Sequence, residues 1–287
     1  MTPLLPLLLA CQLGAQAPVY SGTVEVTEVH VSAVVAGRIQ EVSVREGDAV
    51  EAGSPLFSVD TALLDAQLAL RQQQIAQAEA AVAAAKAQLG AASEQVRVLQ
   101  RESERMNALQ AAGVGTAQAA STLDGQLRVA RAQRLAAEQL IAQAEAGLGQ
   151  ATAGHDAARI QLEEASVSAP LAGVVLSRDR EPGEVIAPGM SVITLGDMAH
   201  PRLRVYLPLV QLERVSLGQQ VQVRLDAAPD APITGTITWV SPRSEFTPRD
   251  ILTPDERVKR VFAVDVSLPP SPGLHPGVPA EALFPEV

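Results

Sequence analysis

Few residues of this sequence have a type and spacing that could support chemistry. The single cysteine, Cys11, excludes an internal disulfide bond. The histidines are scattered and have no cysteine partners, so they lack metal-site spacing and we interpret them as structural or solvated: His30, His155, His200 and His275. No serine lies in a nucleophile elbow, and no histidine is paired with an acid in a catalytic pattern. The sequence therefore predicts no catalytic site, no metal and no cofactor.

Cys11 belongs to an N-terminal segment that is typical of exported proteins. Met1–Ala10 is apolar, shorter than the roughly 20 residues that span a bilayer, and similar to the core of a signal peptide. Leu8–Cys11 has the form of a lipoprotein processing site, which would leave Cys11 lipidated, whereas Ala15–Ala17 fits ordinary signal peptidase. No Lys or Arg precedes the apolar run, which departs from both patterns and is consistent with a start codon further upstream. An apolar tail that is never cleaved is a third interpretation. We expect residues 1–17 to direct the chain to the periplasm.

Composition limits the class of protein. The net charge of −10 argues against nucleic-acid binding, which depends on Lys and Arg neutralising phosphates. None of the seven aromatic residues, one Trp, two Tyr and four Phe, lies between Thr61 and Ala165. That stretch is rich in Ala, Gln, Glu and Leu, a composition typical of a long helix or coiled coil. We therefore expect an elongated protein.

An internal repeat flanks the aromatic-free stretch. Ala33–Ile39 matches Ala169–Val175, and the match continues without a gap: Gly47, Val50 and Gly53 fall on Gly183, Ile186 and Gly189. Both copies alternate apolar and polar residues as half-buried strands do, with glycines where tight turns need them. One copy is too short to bury a sheet face alone, so the two must meet as one β-sandwich. The intervening segment must therefore extend away and return.

Heptad repeats in the segment between the two copies predict two long helices. In the first arm the seam contains Leu68, Ile75, Val82, Leu89 and Val96, interleaved with Ala78, Ala85, Ala92, Leu99 and Met106. In the second it contains Leu127, Ile141, Leu148 and Leu162, with Ala at the alternate positions from Ala130 to Ala165, and we interpret Arg134 and His155 as local imperfections of this seam. Gly113 and Gly115 break the helix between the arms and lack the pattern of a phosphate-binding loop. The segment therefore predicts an antiparallel coiled-coil hairpin.

From Pro201 onward the pattern changes to short alternating strands. Four are predicted, at 203–207, 220–225, 233–240 and 261–268, with a brief helix at 209–215. Several short strands and one short helix favour a small antiparallel β-barrel. Ser241–Asp255 reads as a long surface loop, and the Pro-rich tail from Pro269 can add a strand or two.

The order of half-sandwich, helical hairpin, half-sandwich and β-barrel resembles the membrane fusion proteins of the haemolysin-secretion D (HlyD) family. The resemblance covers about Gly22–Phe284 and is most specific in two biotinyl-lipoyl-like halves, Ala33–Asp60 and Ser168–Asp197. Other stretches resemble the adaptors of ABC-type exporters or the family's closing turn: Trp239–Pro242, Glu245–Pro248, Thr253–Asp255 and Leu274–Val278. The resemblance implies a mixed α and β, elongated fold divided into a leader (1–17), first half (18–60), hairpin (61–166, tip near 110–117), second half (167–199), barrel (200–268) and tail (269–287).

The resemblance also implies a function and a contact site. Family members are non-enzymatic periplasmic adaptors that link an inner-membrane transporter to an outer-membrane channel of the TolC type, working as homo-oligomers, here by analogy hexamers. Many carry an Arg-x3-Leu-x6-Ser pattern at the hairpin tip that contacts the channel. Arg105, Leu109 and Thr116 match its spacing, with Thr in place of Ser. The alternative is that Leu109 only closes the hairpin and Arg105 is a solvated helix residue.

Two departures bear on the partner. Fewer than twenty residues follow the last predicted barrel strand, too few for the family's full membrane-proximal domain. This disfavours a transporter of the resistance-nodulation type and favours an ABC transporter. The chain also lacks the family's frequent N-terminal membrane-spanning helix, so lipid on Cys11 or the transporter itself would hold it at the membrane.

Two other classes fit less well. A lipoyl or biotinyl carrier shares the half-motif but needs a modifiable Lys at the turn between the halves. The coiled coil replaces that turn, and Ser58–Ala62 contains no Lys. A purely structural periplasmic coiled coil would require neither the split sandwich nor the barrel.

Overall fold

The computed structural model describes residues 18–226, 228–246, 260–271 and 273–284. The predicted leader with Cys11, part of the predicted loop 241–255 and the last three residues lie outside them. The helices are α1 (Ala62–Ala111), α2 (Ala117–Glu163) and the short α3 (Leu209–Leu212). The strands are β1 (Val19–Ser32), β2 (Gly37–Val42), β3 (Ala49–Val50), β4 (Pro55–Val59), β5 (Ser166–Ser168), β6 (Gly173–Arg178), β7 (Val185–Ile186), β8 (Ser191–Pro208), β9 (Gln220–Leu225), β10 (Ala228–Val240), β11 (Glu245–Phe246), β12 (Arg260–Ser267) and β13 (Pro279–Leu283).

Helices α1 and α2 pair as an antiparallel hairpin, which confirms the predicted coiled coil. The buried residues follow the heptad seam: Val82, Ala85, Val96 and Ser103 on α1, and Ala120, Leu127, Ala130, Ala137 and Ala158 on α2. At 1.5 Å per residue an arm of 50 residues reaches about 75 Å. Arg134, at a seam position, turns outward to Glu138, with Nε 3.6 Å from its carboxylate, while His155 stays half-buried.

The two repeat halves form one sandwich. One sheet has the order β5-β4-β2-β7, and it faces the β1-β8-β6-β3 part of the larger sheet. The shared core includes Val31, Ile39, Leu56, Phe57 and Val59 from the first half, and Ala169, Val175, Ile186, Ile193 and Leu195 from the second. Residues separated by more than one hundred positions therefore bury each other, as the repeat predicts.

Reciprocal backbone hydrogen bonds join the halves. Gly47 N–H donates to Val175 O (2.9 Å), and the equivalent Gly183 N–H donates to Ile39 O (2.8 Å). Gly53 N–H donates to Ala169 O (2.8 Å), and Gly189 N–H donates to Ala33 O (2.9 Å). Each glycine of one half thus donates to the carbonyl group of the other half that is equivalent in the repeat, so the two halves are related by an approximate twofold axis. The four glycines that donate these bonds all have positive φ, between 83° and 93°, a conformation that residues with a Cβ adopt only at a cost.

The barrel closes through six strands in the order β12-β10-β9-β13-β1-β8, because β8 also pairs with β12. Its interior is mostly aliphatic and includes Val24, Leu203, Val205, Val223 and Val264. The sequence placed the barrel at 200–268 and the tail at 269–287 outside it, but β13 lies between β1 and β9 as a barrel strand. A barrel left open between β9 and β1 would expose two strand edges, and the tail strand removes both.

Strands β1 and β8 run through both domains. Their pairing shifts between Glu25 opposite Arg202 and Thr27 opposite Asp197, so β8 carries an extra segment, Met198–Pro201, at the junction. Asp197 stabilises this bulge by accepting from Ala199 N–H (2.9 Å). His200 Nδ1 lies 2.8 Å from the same carboxylate, and this hydrogen bond lowers the pKa of Asp197.

The first and last described residues lie at the barrel end that faces away from the sandwich. There β1 begins and β8 ends, since Gly22 pairs with Val205, and β12 starts at Arg260 near Pro208. Phe284 N–H donates to Pro18 O (3.1 Å) at this end. The hairpin leaves the sandwich beside Arg38, whose carbonyl accepts from Asp60 N–H (2.8 Å), close to where β1 ends.

The repeat predicts equal costs for equivalent glycine substitutions. Gly47→Ala and Gly183→Ala should each destabilise the protein by about 1 kcal/mol, because a methyl group meets open space at both positions and only the positive φ is penalised. Gly90→Ala, in the middle of α1 and also facing open space, should instead stabilise by about 0.5–1 kcal/mol. Calorimetric melting of the three variants tests this, and unequal losses at Gly47 and Gly183 would contradict the equivalence.

Candidate functional site at the hairpin tip

The turn between α1 and α2 is closed by backbone hydrogen bonds. Val114 and Gly115 N–H both donate to Leu109 O, at 3.0 and 3.1 Å. Gly113 has φ of +83°, and a Cβ on Gly115 would lie 2.9 Å from the backbone nitrogen of Gln110. Both glycines are therefore required by the turn itself.

The structure brings Arg105, Leu109 and Thr116 to this tip. Arg105 and Leu109 are one helical turn apart on the same face of α1. The Arg105 side chain is 67% exposed and pairs with Glu102, and Leu109 is 43% exposed. Thr116 begins α2 as its N-cap, with Oγ1 accepting from Ala119 N–H (3.3 Å). The hydroxyl of Thr116 thus has a structural role that its sequence position did not reveal.

Sequence reasoning missed Val114, the most exposed large apolar residue of the tip. Its side chain is 78% exposed at the apex, where it adds to the apolar surface of Leu109. Its neighbours Gly113 and Gly115 were assigned only as helix breakers, although an apolar residue between two turn glycines is itself a signal of an exposed contact. The tip therefore presents two aliphatic side chains next to a guanidinium group.

A polar link fixes the helices just below the tip. Ser103 is 6% exposed and donates to Asp124 Oδ1 across the hairpin at 2.8 Å. Ser103 occupies the seam position one heptad after Val96, where the pattern calls for an apolar residue, and that deviation was the available signal. Because the bond joins α1 to α2, it holds the register in which the tip residues are presented.

A second cluster lies on the outside of the barrel. Arg204 forms two hydrogen bonds with Asp265 (2.8 and 2.9 Å), and Glu25 lies 3.1 Å from Arg202 and 3.3 Å from Arg204. Hydrogen bonding to Asp265 raises the pKa of Arg204 above its usual value. The Arg204 guanidinium also stacks 5.8 Å from the centre of the Trp239 ring. Two cations and two anions satisfy one another, so we assign this cluster to stability.

The histidines in the described part of the chain contact single polar neighbours and do not cluster with one another. His30 Nδ1 lies 3.0 Å from Thr194 Oγ1, and His155 lies beside Asp156. Within the described residues no group of His, Cys, Asp and Glu could hold a metal ion. No helix in that part of the chain is long and apolar enough to cross a membrane.

Comparison with known proteins agrees with this architecture. A family model described as RND MFP, barrel-sandwich hybrid domain, matches residues 27–195. A "UPF0194 membrane protein" of Yersinia pseudotuberculosis serotype IB is 32% identical over 92% of this chain and 88% of its own. The "UPF0194 membrane protein YbhG" of Salmonella paratyphi B is 31% identical over 92% of this chain and 87% of its own.

A solved structure shares the fold. MacA from Actinobacillus actinomycetemcomitans has a TM-score of 0.62 and 20% identity, over 95% of this chain and 79% of that one. A MacA-MexA chimeric protein that contains the Pseudomonas aeruginosa MexA α-hairpin domain also reaches 0.62 at 20% identity, over 93% of this chain and 80% of that one. At this identity the two structures support the fold alone.

The capping role of Thr116 can be separated from any contact role. Thr116→Ala should destabilise α2 by about 1 kcal/mol, because Ala119 N–H loses its acceptor. Thr116→Ser keeps the acceptor and should leave stability unchanged. Amide hydrogen exchange in the first turn of α2 measures the effect, and equal protection in the Ala and Ser variants would disprove the cap.

The ion-pair cluster on the barrel should contribute more to the free energy of unfolding than an exposed ion pair does. Arg204→Ala should destabilise the barrel by about 2–3 kcal/mol, because Asp265, 8% exposed, keeps its charge and loses its bidentate partner. Combining it with Asp265→Asn should recover part of the loss. Arg97→Ala, which removes an exposed pair with Glu94, should leave the stability close to that of the wild type, because solvent screens the pair. Urea unfolding followed by fluorescence of Trp239, the single tryptophan, reports these differences.

Proposed function

Because this chain belongs to the family of membrane fusion proteins with a barrel-sandwich hybrid domain, whose members are adaptors and not catalysts, we propose that it is the periplasmic adaptor of a tripartite export system. It assembles as a homo-oligomer, by family analogy a hexamer, that couples an inner-membrane transporter to an outer-membrane channel of the TolC type. The observation that carries this proposal is a stiff hairpin, rooted in one sandwich, whose tip exposes unpartnered apolar side chains. The exported substrate passes through the assembly without a dedicated catalytic site.

The tip provides the chemistry of a docking contact. Leu109 and Val114 offer aliphatic surface, and Arg105 offers charge-assisted donors to carboxylates or carbonyl groups of a partner helix. The Glu102 partner of Arg105 is on the same helix and exposed, so exchanging it for a channel acceptor has a small cost. Thr116 contributes to this contact mainly by holding the start of α2.

The hairpin has one flank suited to a neighbouring copy. A groove of about 990 Å³ runs between α1 and α2, lined largely by Gln, Ala and Gly, with Arg71 as the one charged lining residue. On the opposite flank of the seam, Lys86 and Glu145 bridge the helices at 3.4 Å. A neutral groove with small side chains allows close approach of another helix, which supports hairpins packed side by side into a tube.

We favour an ABC transporter as the inner-membrane partner. The support is the resemblance of Trp239–Pro242, Glu245–Pro248 and Thr253–Asp255 to the corresponding segments of adaptors of that class. A resistance-nodulation transporter is the second candidate, and the description of the matching family model favours it. Attachment to the membrane would come from lipid on Cys11 or from the transporter, and labelling with palmitate in wild type and Cys11→Ser distinguishes the two.

Reversing the charge of Arg105 or removing the aliphatic side chain of Leu109 should abolish export and leave the fold intact. Arg105→Asp places a like charge beside Glu102 and removes the donor, and Leu109→Ser removes the aliphatic contact. We expect both variants to accumulate normally, to melt like the wild type and to reduce export to background. Export is measured in cells that carry the cognate transporter, identified by pull-down of the adaptor from solubilised membranes.

The hairpin offers matched controls. Arg97 repeats the arrangement of Arg105, since it pairs with an acid three residues earlier and its side chain is 65% exposed. Leu135 is 56% exposed on the shaft of α2. Arg97→Asp and Leu135→Ser should therefore export normally. Wild-type export by both tip variants would disprove tip docking, and equal loss in tip and shaft variants would assign the effect to the hairpin as a whole.

A further inference from the structure

An unexplained apolar surface lies at the barrel end that faces away from the sandwich. The connection from β8 to β9 contains α3, and three of its aliphatic side chains are among the most exposed in the protein: Leu209 (54%), Val210 (70%) and Leu217 (68%). We name these three residues the apolar corner. Leu212 and Val215 of the same connection pack against the barrel core, so the fold does not use the apolar corner.

The first described residue of the chain also lies at this end of the barrel. Pro18, the first described residue, accepts from Phe284 N–H, and β1 begins opposite the last residues of β8, from which α3 continues. The segment that precedes Pro18 in the sequence includes the apolar Met1–Ala10 and Cys11. Six residues lie between Cys11 and Pro18, and a fully extended chain from one to the other reaches roughly 25 Å. A membrane attachment at Cys11 would therefore hold this barrel end within about 25 Å of the bilayer.

The chemistry of the apolar corner fits lipid better than protein. Protein contacts concentrate their binding energy in Trp, Tyr and Arg anchors, whereas the apolar corner is purely aliphatic. Between Leu209 and Gln219 the only charged residues are Glu213 and Arg214, so this connection is neutral in a chain with a net charge of −10. A neutral aliphatic surface can enter the boundary between headgroups and acyl chains without desolvating a charge.

We propose that the apolar corner of Leu209, Val210 and Leu217 inserts into the phospholipid leaflet to which the N-terminal segment is attached. Together with that attachment it forms a second contact with the membrane and fixes the tilt of the barrel, and with it the direction of the hairpin. A single lipid anchor limits the distance of the barrel end from the membrane but does not fix the orientation of the barrel. The inference goes beyond the proposed export function, and its test does not depend on export or on the hairpin tip.

The sequence offers a direct test, because Cys11 is the only cysteine. In full-length chains carrying Cys11→Ser, either Val210→Cys or Val185→Cys is labelled with an environment-sensitive nitrobenzoxadiazole fluorophore. Val185, in the sandwich, is 68% exposed against 70% for Val210, so the two sites are matched in water. The proteins are mixed with vesicles of phosphatidylethanolamine and phosphatidylglycerol that contain no protein.

We expect a blue shift and a several-fold gain in emission at position 210 and none at position 185. Adding Leu209→Asp and Leu217→Asp to the Val210→Cys chain should abolish the shift. No change at position 210 would overturn the proposal, and equal changes at both positions would show non-specific adsorption and overturn it as well. A shift at position 210 that requires the solubilised transporter would assign the apolar corner to a protein contact instead.

Discussion

The structure depends on one constraint: the two halves of the sandwich can bury their apolar faces only against each other. The exchange of backbone hydrogen bonds between Gly47 and Val175, and between Gly183 and Ile39, closes this unit. The cost of bringing distant segments together grows only slowly with the length between them. A long insertion is therefore tolerated, and because it pairs with itself, α1 and α2 are held at both ends.

This closure also determines how the barrel is attached. Strands β1 and β8 complete the sandwich and then continue without a break as two of the six barrel strands, so the domains share backbone pairing instead of a flexible linker. The register of this ribbon shifts at two places, at the bulge of Met198–Pro201 and between Val31 and Ser32 near the end of β1. A displacement of the barrel is transmitted through paired strands to the sandwich and from there to the root of the hairpin.

The features that the sequence predicted are those with a long repeat. Heptads over two arms and a gapless match between two halves accumulate signal, and both were found as predicted. Features that depend on one strand or one contact were predicted less fully: the Pro-rich tail was expected to add a strand or two, but not that the five residues of β13 would lie between β1 and β9 and close the barrel. Ser103 and Val114 each left only a one-residue signal, a polar residue at a seam position and an apolar residue between two glycines, and both were missed. The apolar corner was missed because exposure at single positions is set by three-dimensional packing, which a local pattern does not encode.

The hairpin tip and the far end of the barrel both expose aliphatic side chains to water. Exposed aliphatic side chains are unfavourable in water and favour aggregation where they form large patches. Here they are placed on short connections, Ala112–Gly115 at the tip and Leu209–Gln219 at the barrel, that rigid elements hold far apart. Nearby polar groups, Arg105 at one end and Glu213 with Arg214 at the other, keep each apolar surface small. Such separation lets each surface meet a different partner without the two meeting each other within one chain.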